Sequence, residues 1–280
     1  MPELPEVETI RRGLERHVLG RTIVAVRSYG ERVIRRAPQG LEPVKNSRIN
    51  AVVRRGKFLW FDLGDRALVA HLGMSGQFRL GGSARHTRAV FTLNDGQRLV
   101  FADQRTFGYL APDRWVPCVE PGGEGSQRRE IPSIAQHIAR DLLDPALDRK
   151  RLAERTGRKK TPIKTALLDQ TLVSGIGSIY ADEALFAARI HPLRRANTLS
   201  SQRALQLYTE ATAVLRAAVK AGGTSFDSLY VGVDGETGYF EISLQAYGRS
   251  AMPCRRCGNT LETLRVSGRS AVFCPFCQPL

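Results

Sequence analysis

The sequence predicts an α+β protein in two parts: a helix leading into an antiparallel β-sandwich or barrel, then a helical domain closed by a metal-binding tail. Three observations predict it. Apolar residues alternate with a period of two between residues 22 and 110, the period becomes helical beyond residue 133, and four cysteines form two Cys-x2-Cys pairs near the C-terminus. At 280 residues the chain is long enough for about two domains, each with its own core.

The opening stretch MPELPEVETIRRGLERHVLG reads as a helix from Pro5. Val7, Ile10, Leu14 and Val18 recur at helical spacing, Glu6 and Glu8 suit the positive end of the first turn, and Gly20 stops it. Pro2 and Glu3 lie ahead of that turn and add nothing to its apolar stripe, so the helix leaves them unexplained. TIVAVRSY, NAVVRR, KFLWFDL, ALVAHLG, RAVFTL and RLVFAD then alternate as strands, with Asn94-Asp95-Gly96 as a hairpin turn. Several short strands joined by turns make a sandwich or a barrel. The Gly-, Pro- and charge-rich segment 118–133 reads as a linker. SIAQHIARDLL, IKTALLDQTLV, SIYADEALFAARI and RALQLYTEATAVLRAAVKAGG follow with helical periodicity. The expected divisions are therefore 1–117, a linker 118–133, a helical domain 134–244 and a Cys-rich tail 245–280.

Charge narrows the partner. The chain carries 42 Lys+Arg against 27 Asp+Glu, a formal net charge of +15. Such an excess points to a polyanion. Between residues 148 and 164 eight Lys/Arg face two acids, and between 249 and 280 five arginines face one glutamate. Two basic clusters around a helical domain favour duplex nucleic acid over a membrane surface, which calls for an amphipathic basic helix. No stretch approaches the roughly 18 apolar residues of a membrane span and no signal-peptide pattern opens the chain, so a reducing, cytoplasmic setting is expected.

In that setting Cys254, Cys257, Cys274 and Cys277 fit a tetrahedral four-thiolate zinc site better than disulfides, each pair clamping one edge of the metal. A closed four-cysteine site is structural, so one structural Zn2+ is the expected cofactor. The fifth cysteine, Cys118, reads as a small buried hydrophobe.

Eight pieces in order, MPELPEVE, RRGKFLW, HLGMSGQF, DQRTFG, LLDQTLVSGIGSIYADEALF, GGTSFDSLY, QAYGR and GRSAVFCPFCQ, make the chain resemble the bacterial formamidopyrimidine-DNA glycosylases over nearly its whole length. The resemblance implies an N-terminal helix with a β-sandwich, a helix-two-turn-helix domain and a zinc finger, with duplex DNA carrying oxidised bases or abasic sites bound between the domains. It implies excision of oxidised purines such as 8-oxoguanine, strand cleavage, and a monomer associated with the nucleoid. The sister endonuclease VIII family, which acts on oxidised pyrimidines, shares the Pro-Glu start and the finger. Leu4-Pro5 in place of Gly-Pro favours the former. A non-enzymatic zinc-dependent lesion-binding paralogue is a third reading, opposed by the intact Pro2, Glu3 and Lys57.

Pro2 and Glu3 then acquire a chemical purpose. With Met1 removed, Pro2 becomes a secondary amine with an ordinary pKa of about 7.7–8.0, neutral often enough at physiological pH to attack C1′ of a deoxyribose. The helix N-terminus beside it disfavours protonation. Glu3 is placed to move protons to the sugar oxygen, and Glu6 to orient the amine. The resemblance makes Lys57 the phosphate-binding and proton-transferring lysine of β-elimination, and Arg269 the arginine of the second elimination. It makes Met74, Arg105 and Phe107 the residues that fill the hole left by an extruded base. His86, Lys160 and Lys164 match its phosphate contacts, and the stretch 222–240 its mobile loop over the damaged base. Two positions depart from the pattern. Thr106 stands where a second arginine is common, and Ser178 replaces an expected asparagine, which leaves one phosphate contact in doubt because serine offers a single donor.

Overall fold

The computed structural model describes residues 2–82, 84–224, 233 and 240–280. It divides into two compact units, Met1–His137 with Ala221–Tyr239, and Ile138–Lys220 with Phe240–Leu280.

The first unit opens with helix α1 (Leu4–Val18), whose N-cap is Glu3. The Glu3 N–H donates to the Glu6 carboxylate at 2.8 Å, the returning arm of a capping box. Val7, Ile10, Leu14 and Val18 form the buried stripe that the spacing predicts. Eight strands follow: β1 (Ile23–Ser28), β2 (Ala51–Arg55), β3 (Phe58–Asp62), β4 (Ala67–His71), β5 (Gly76–Leu80), β6 (Thr87–Leu93), β7 (Arg98–Asp103) and β8 (Tyr109–Asp113). They make two antiparallel four-stranded sheets, ordered β1-β6-β7-β5 and β2-β3-β4-β8, so the open alternative of sandwich or barrel resolves to a sandwich.

Strand parity explains which residues go where. Leu59 and Phe61 of β3 join α1 and the other sheet's Phe78, Phe91 and Phe101 in one core. Trp60, one residue out of phase, packs with Val69, Tyr109, Ala111 and Ile131 on the opposite face. That sheet is buried on both sides, and its strands accordingly read as apolar runs such as FLWF.

Segment 118–133 is not the linker its composition suggests. It packs against the sandwich: β9 (Trp115–Pro117) pairs with β10 (Glu130–Pro132), and Glu124 and Arg54 exchange backbone hydrogen bonds of 2.8 and 2.9 Å. The glycines are there for close approach, since a Cβ on Gly122, Gly123 or Gly125 would meet a backbone oxygen at 2.3–2.4 Å. Cys118 sits at the edge of the outer cluster, half-buried rather than buried, with its thiol donating to the Glu120 carbonyl.

The second unit contains α2 (Arg149–Gly157), α3 (Ile163–Leu168), α4 (Ser178–Ala187) and α5 (Ser201–Lys220). SIAQHIARDLL, expected as a helix, forms only a 3-10 turn at Ser133–Ala135. Asp141 and Asp144 each accept from the N–H two residues on, a local turn that competes with helix, and Pro145 removes a donor. The hairpin of β11 (Glu262–Val266) and β12 (Arg269–Phe273) closes the chain through Ser267-Gly268, both with positive φ as a type I′ turn requires. The finger shares its core with the helices, Phe186 packing with Leu261, Val272 and Cys274, so the tail belongs to this unit rather than standing apart.

Candidate active site

Pro2 is buried immediately ahead of α1, with Glu3 beside it only 3% exposed. Glu6, one turn along, has a defined task for each oxygen. One accepts from the Glu3 N–H, and the other accepts from the Thr224 N–H at 2.8 Å and its hydroxyl at 3.0 Å. Gly223 makes that contact feasible, because a Cβ there would stand 2.9 Å from the same oxygen. Glu6 thus ties the helix start to the head of the 222–240 stretch; residues 225–232 and 234–239 of that stretch lie outside the described residues.

Lys57 occupies the two-residue turn Gly56-Lys57 between β2 and β3, Gly56 supplying φ +57. A buried charge cluster joins this turn to α1. Glu8 accepts from Arg11 at 3.0 Å and from Arg54 Nε at 2.9 Å, and Arg54 Nη1 donates to the Gly56 carbonyl at 3.3 Å. Burial raises the Glu8 pKa, but the Arg54 and Arg11 guanidiniums outweigh it and hold the carboxyl at about 2. His71, at the end of β4, stacks on Tyr109 and is held neutral, its pKa lowered to about 4 by burial and by Arg35, Lys57 and Arg36. Sequence reasoning gave Glu8 only a helix-turn role and passed over Arg54 and His71. One signal was available: Arg54 shares strand parity with the core residue Val52, so its charge had to point inward and find a partner.

Met74 lies between β4 and β5, and Arg105 and Phe107 lie between β7 and β8. The structure brings all three together, with Arg105 Nη1 3.9 Å from the Met74 sulfur. Met74 and Phe107 are 39% and 55% exposed, unusual for large apolar side chains. Thr106, at positive φ, accepts from Arg32 Nη1 at 3.2 Å. His86 is half-buried at φ +62, ahead of β6.

In the second unit Lys160 is exposed in the loop between α2 and α3. Ser178 is the first residue of α4, half-buried behind Gly177, a cap with no side chain. Lys164 corrects an expectation. It is fully buried, and its ammonium donates to Asp182 at 2.6 Å and to the Ser270 carbonyl at 2.5 Å, so its side chain is not presented to a phosphate. Asp182 in turn accepts from the Val272 N–H at 3.1 Å. Burial pushes Asp182 up to about 6 against the pull of the Lys164 ammonium. The pair therefore grips β12 at two points next to Arg269, which is itself exposed just past the hairpin turn.

The four cysteine sulfurs lie within 4.8 Å of one another, with Cys257 and Cys274 at 3.5 Å and Cys254 and Cys277 at 4.0 Å. Bonds of about 2.3 Å to a tetrahedral zinc place its sulfurs about 3.8 Å apart, so the donor set and its spacing fit one structural zinc.

A β-sandwich led by an N-terminal Pro-Glu helix, a helical unit and a four-cysteine hairpin define the class of zinc-finger DNA glycosylases, and comparison with known proteins agrees. Residues 1–110 match the formamidopyrimidine-DNA glycosylase N-terminal domain, 138–229 the H2TH domain of the same enzymes, and 253–280 the zinc finger found in FPG and IleRS. The chain is 48% identical over 286 residues to the formamidopyrimidine-DNA glycosylase of Mycolicibacterium gilvum, covering 100% of this chain and 99% of that one. Among solved structures it is similar to the MutM (FPG) protein from Thermus thermophilus, with a TM-score of 0.84 and 38% identity over 99% and 98% of the two chains. A Lactococcus lactis FPG mutant in complex with Fapy-dG-containing DNA gives a TM-score of 0.84 at 31% identity, with both chains covered in full. The chain belongs to the formamidopyrimidine-DNA glycosylase family.

Proposed function

We propose that this base excision repair enzyme removes oxidised purines from duplex DNA through a covalent intermediate on Pro2, and then cleaves the abasic strand. The observation that carries the mechanism is the placement of Pro2 and Glu3. Glu3 is the N-cap of α1, which sets Pro2 just off the positive end of a 15-residue helix, beside a buried carboxylate. A secondary amine there, once Met1 is removed, has an ordinary pKa of about 7.7–8.0, so its neutral form is available as a nucleophile with the Glu3 carboxylate beside it to take its proton.

In the proposed sequence the Pro2 nitrogen forms a bond to C1′ while the C1′–N bond to the base breaks and its electron pair leaves with the base. The Glu3 carboxylate takes the N–H proton of the attacking amine and delivers it to the sugar ring oxygen as the C1′–O bond breaks and the ring opens, while the departed base is protonated from solvent. Being secondary, the amine yields an iminium that cannot be neutralised by losing an N–H proton, so it stays an electron sink. Loss of a C2′ proton then expels the 3′ phosphate, with Lys57 as the base and phosphate ligand, and Arg269 assists expulsion of the 5′ phosphate. Met74, Arg105 and Phe107 fill the hole in the duplex, while His86, Lys160 and Ser178 bind the backbone. Cys254, Cys257, Cys274 and Cys277 would hold a zinc ion whose part is structural, bracing the hairpin under Arg269. Among the described residues no helix is long and apolar enough to cross a membrane, and the reading places the enzyme in the cytoplasm, on the nucleoid, as a monomer.

Borohydride trapping on duplexes carrying 8-oxoguanine or an oxidised pyrimidine tests the chemistry and the substrate class together. A stable adduct formed preferentially on the 8-oxoguanine duplex is expected. Preference for the pyrimidine would move the chain to an endonuclease VIII-type substrate, and binding with no adduct on either would make it a lesion-binding protein.

A further inference from the structure

We infer that Ser75 and Asp103 are positioning residues for duplex invasion: together they lock the loop that carries Met74 to the loop that carries Arg105 and Phe107. The inference rests on the void-filling reading of those three side chains given above. Asp103, the last residue of β7, is 1% exposed, and Ser75 is 6% exposed. The Ser75 hydroxyl donates to Asp103 Oδ1 at 2.5 Å and accepts from the Arg105 N–H at 2.9 Å. The other carboxylate oxygen accepts from the Gly108 N–H at 2.7 Å. One buried carboxylate therefore fixes both ends of the 104–108 loop, and a single hydroxyl ties that loop to the neighbour of Met74.

The backbones meet as well. At Gly73, φ +60, an added Cβ would fall 2.5 Å from Gly108 N and from the Phe107 carbonyl carbon, so the two loops touch with no side chain between them. From the far side Arg35 donates to the Phe107 and Gly108 carbonyls at 2.7 and 2.6 Å. The result is a platform whose polar groups face inward and are satisfied, while its two large apolar side chains face solvent. Holding Met74 and Phe107 out of the core opposes the hydrophobic effect, and a rigid base is what keeps them extended. A wedge must push on stacked bases without folding back, and fixing its base in advance lowers the ordering entropy lost on insertion.

The test compares parent, Ser75→Ala and Asp103→Asn on two substrates. One is a duplex with 8-oxoguanine flanked by 2-aminopurine, whose fluorescence rises when its stack opens. The other is a single-stranded oligonucleotide with an abasic site, which has no stack to invade. Single-turnover excision from the duplex is expected to slow about tenfold or more in Ser75→Ala, which loses two hydrogen bonds of ordinary net worth, with a slower fluorescence rise. Asp103→Asn, which keeps one acceptor, is expected to fall between Ser75→Ala and the parent. Both variants should trap on the single-stranded abasic site at the parent's rate. Parental excision and fluorescence kinetics in Ser75→Ala would overturn the inference. So would an equal loss on both substrates, which would mark a general structural role. A parent that fails to trap on the abasic strand would refute the Pro2 chemistry instead, and the fluorescence rise on the duplex still reads the wedge independently.

Discussion

Pro2 and Glu3 stand at the end of a helix locked by an apolar stripe and by buried carboxylates, whereas Arg269 stands on a two-stranded hairpin with little core of its own. The helix end draws on a large sandwich core, with Val7 and Ile10 each 1% exposed in it, and Glu6 and Glu8 tie it to Thr224 and Arg54. An isolated hairpin is marginal in water, so the one under Arg269 depends on discrete clamps, the four thiolates at one end and the Lys164–Asp182 pair against β12. On the proposed mechanism, covalent attack by Pro2 and the elimination assisted by Arg269 therefore rest on separable supports. Damage to the clamps should cost the Arg269 step and DNA affinity while leaving covalent attack by Pro2 largely intact.

The strongest way to break that comparison is Cys274→Ser. Its expected effect is loss of zinc from the purified protein, loss of duplex affinity and loss of the second elimination, while adduct formation on a single-stranded abasic site at saturating enzyme persists. Metal analysis beside product sizing reads all of these, and a variant that kept its zinc-free hairpin working would contradict the clamp.

Next in size is Lys164→Met, which leaves Asp182 buried without its cation. Removing one partner of a buried pair costs about 3–5 kcal/mol, so a thermal unfolding scan should show a clear loss. The slope of affinity against salt should stay put, because Lys164 faces inward. Lys160→Ala should do the opposite, sparing stability and lowering that slope by about one.

Acid titration sharpens the other side. Glu8 has a folded pKa of about 2, below that of an unfolded glutamate at about 4.3. Its contribution is complete above the unfolded value and is lost as pH falls toward the folded one. Stability measured between pH 4.5 and 2 should therefore drop by up to about 3 kcal/mol from this group, and Glu8→Gln should be less stable at neutral pH and lack that part of the acid slope.

The smallest expected effect is at Ser178. Restoring asparagine should tighten lesion binding by no more than about 1 kcal/mol, without changing the lesion chosen or the single-turnover rate at saturation. An inactive parent rescued by Ser178→Asn would mean that the serine had abolished activity.

How much of this was legible depends on whether one residue's type or two residues' meeting carried the information. The α1 stripe, the alternating strands and the Cys-x2-Cys spacing are local patterns, and the helix, the strands and the cysteine cluster follow them. The 118–133 segment misled because glycines that allow close backbone approach look in sequence like glycines that allow flexibility. Lys164 misled for a related reason: it sits in a basic run with Lys159 and Lys160, and only the fold places Asp182 at its ammonium. The Ser75–Asp103 link joins residues 28 positions apart and has no sequence signature.

The most direct measurement is peptide mapping of the borohydride-trapped adduct by mass spectrometry, using the mature protein and a form in which Met1 is retained. The sugar remnant should map to the N-terminal peptide on Pro2, and the Met1-retaining protein should trap nothing. An adduct on Lys57 or another lysine in the mature protein, or a stable N-terminal adduct with Met1 still attached, would contradict the assignment of Pro2 as the nucleophile.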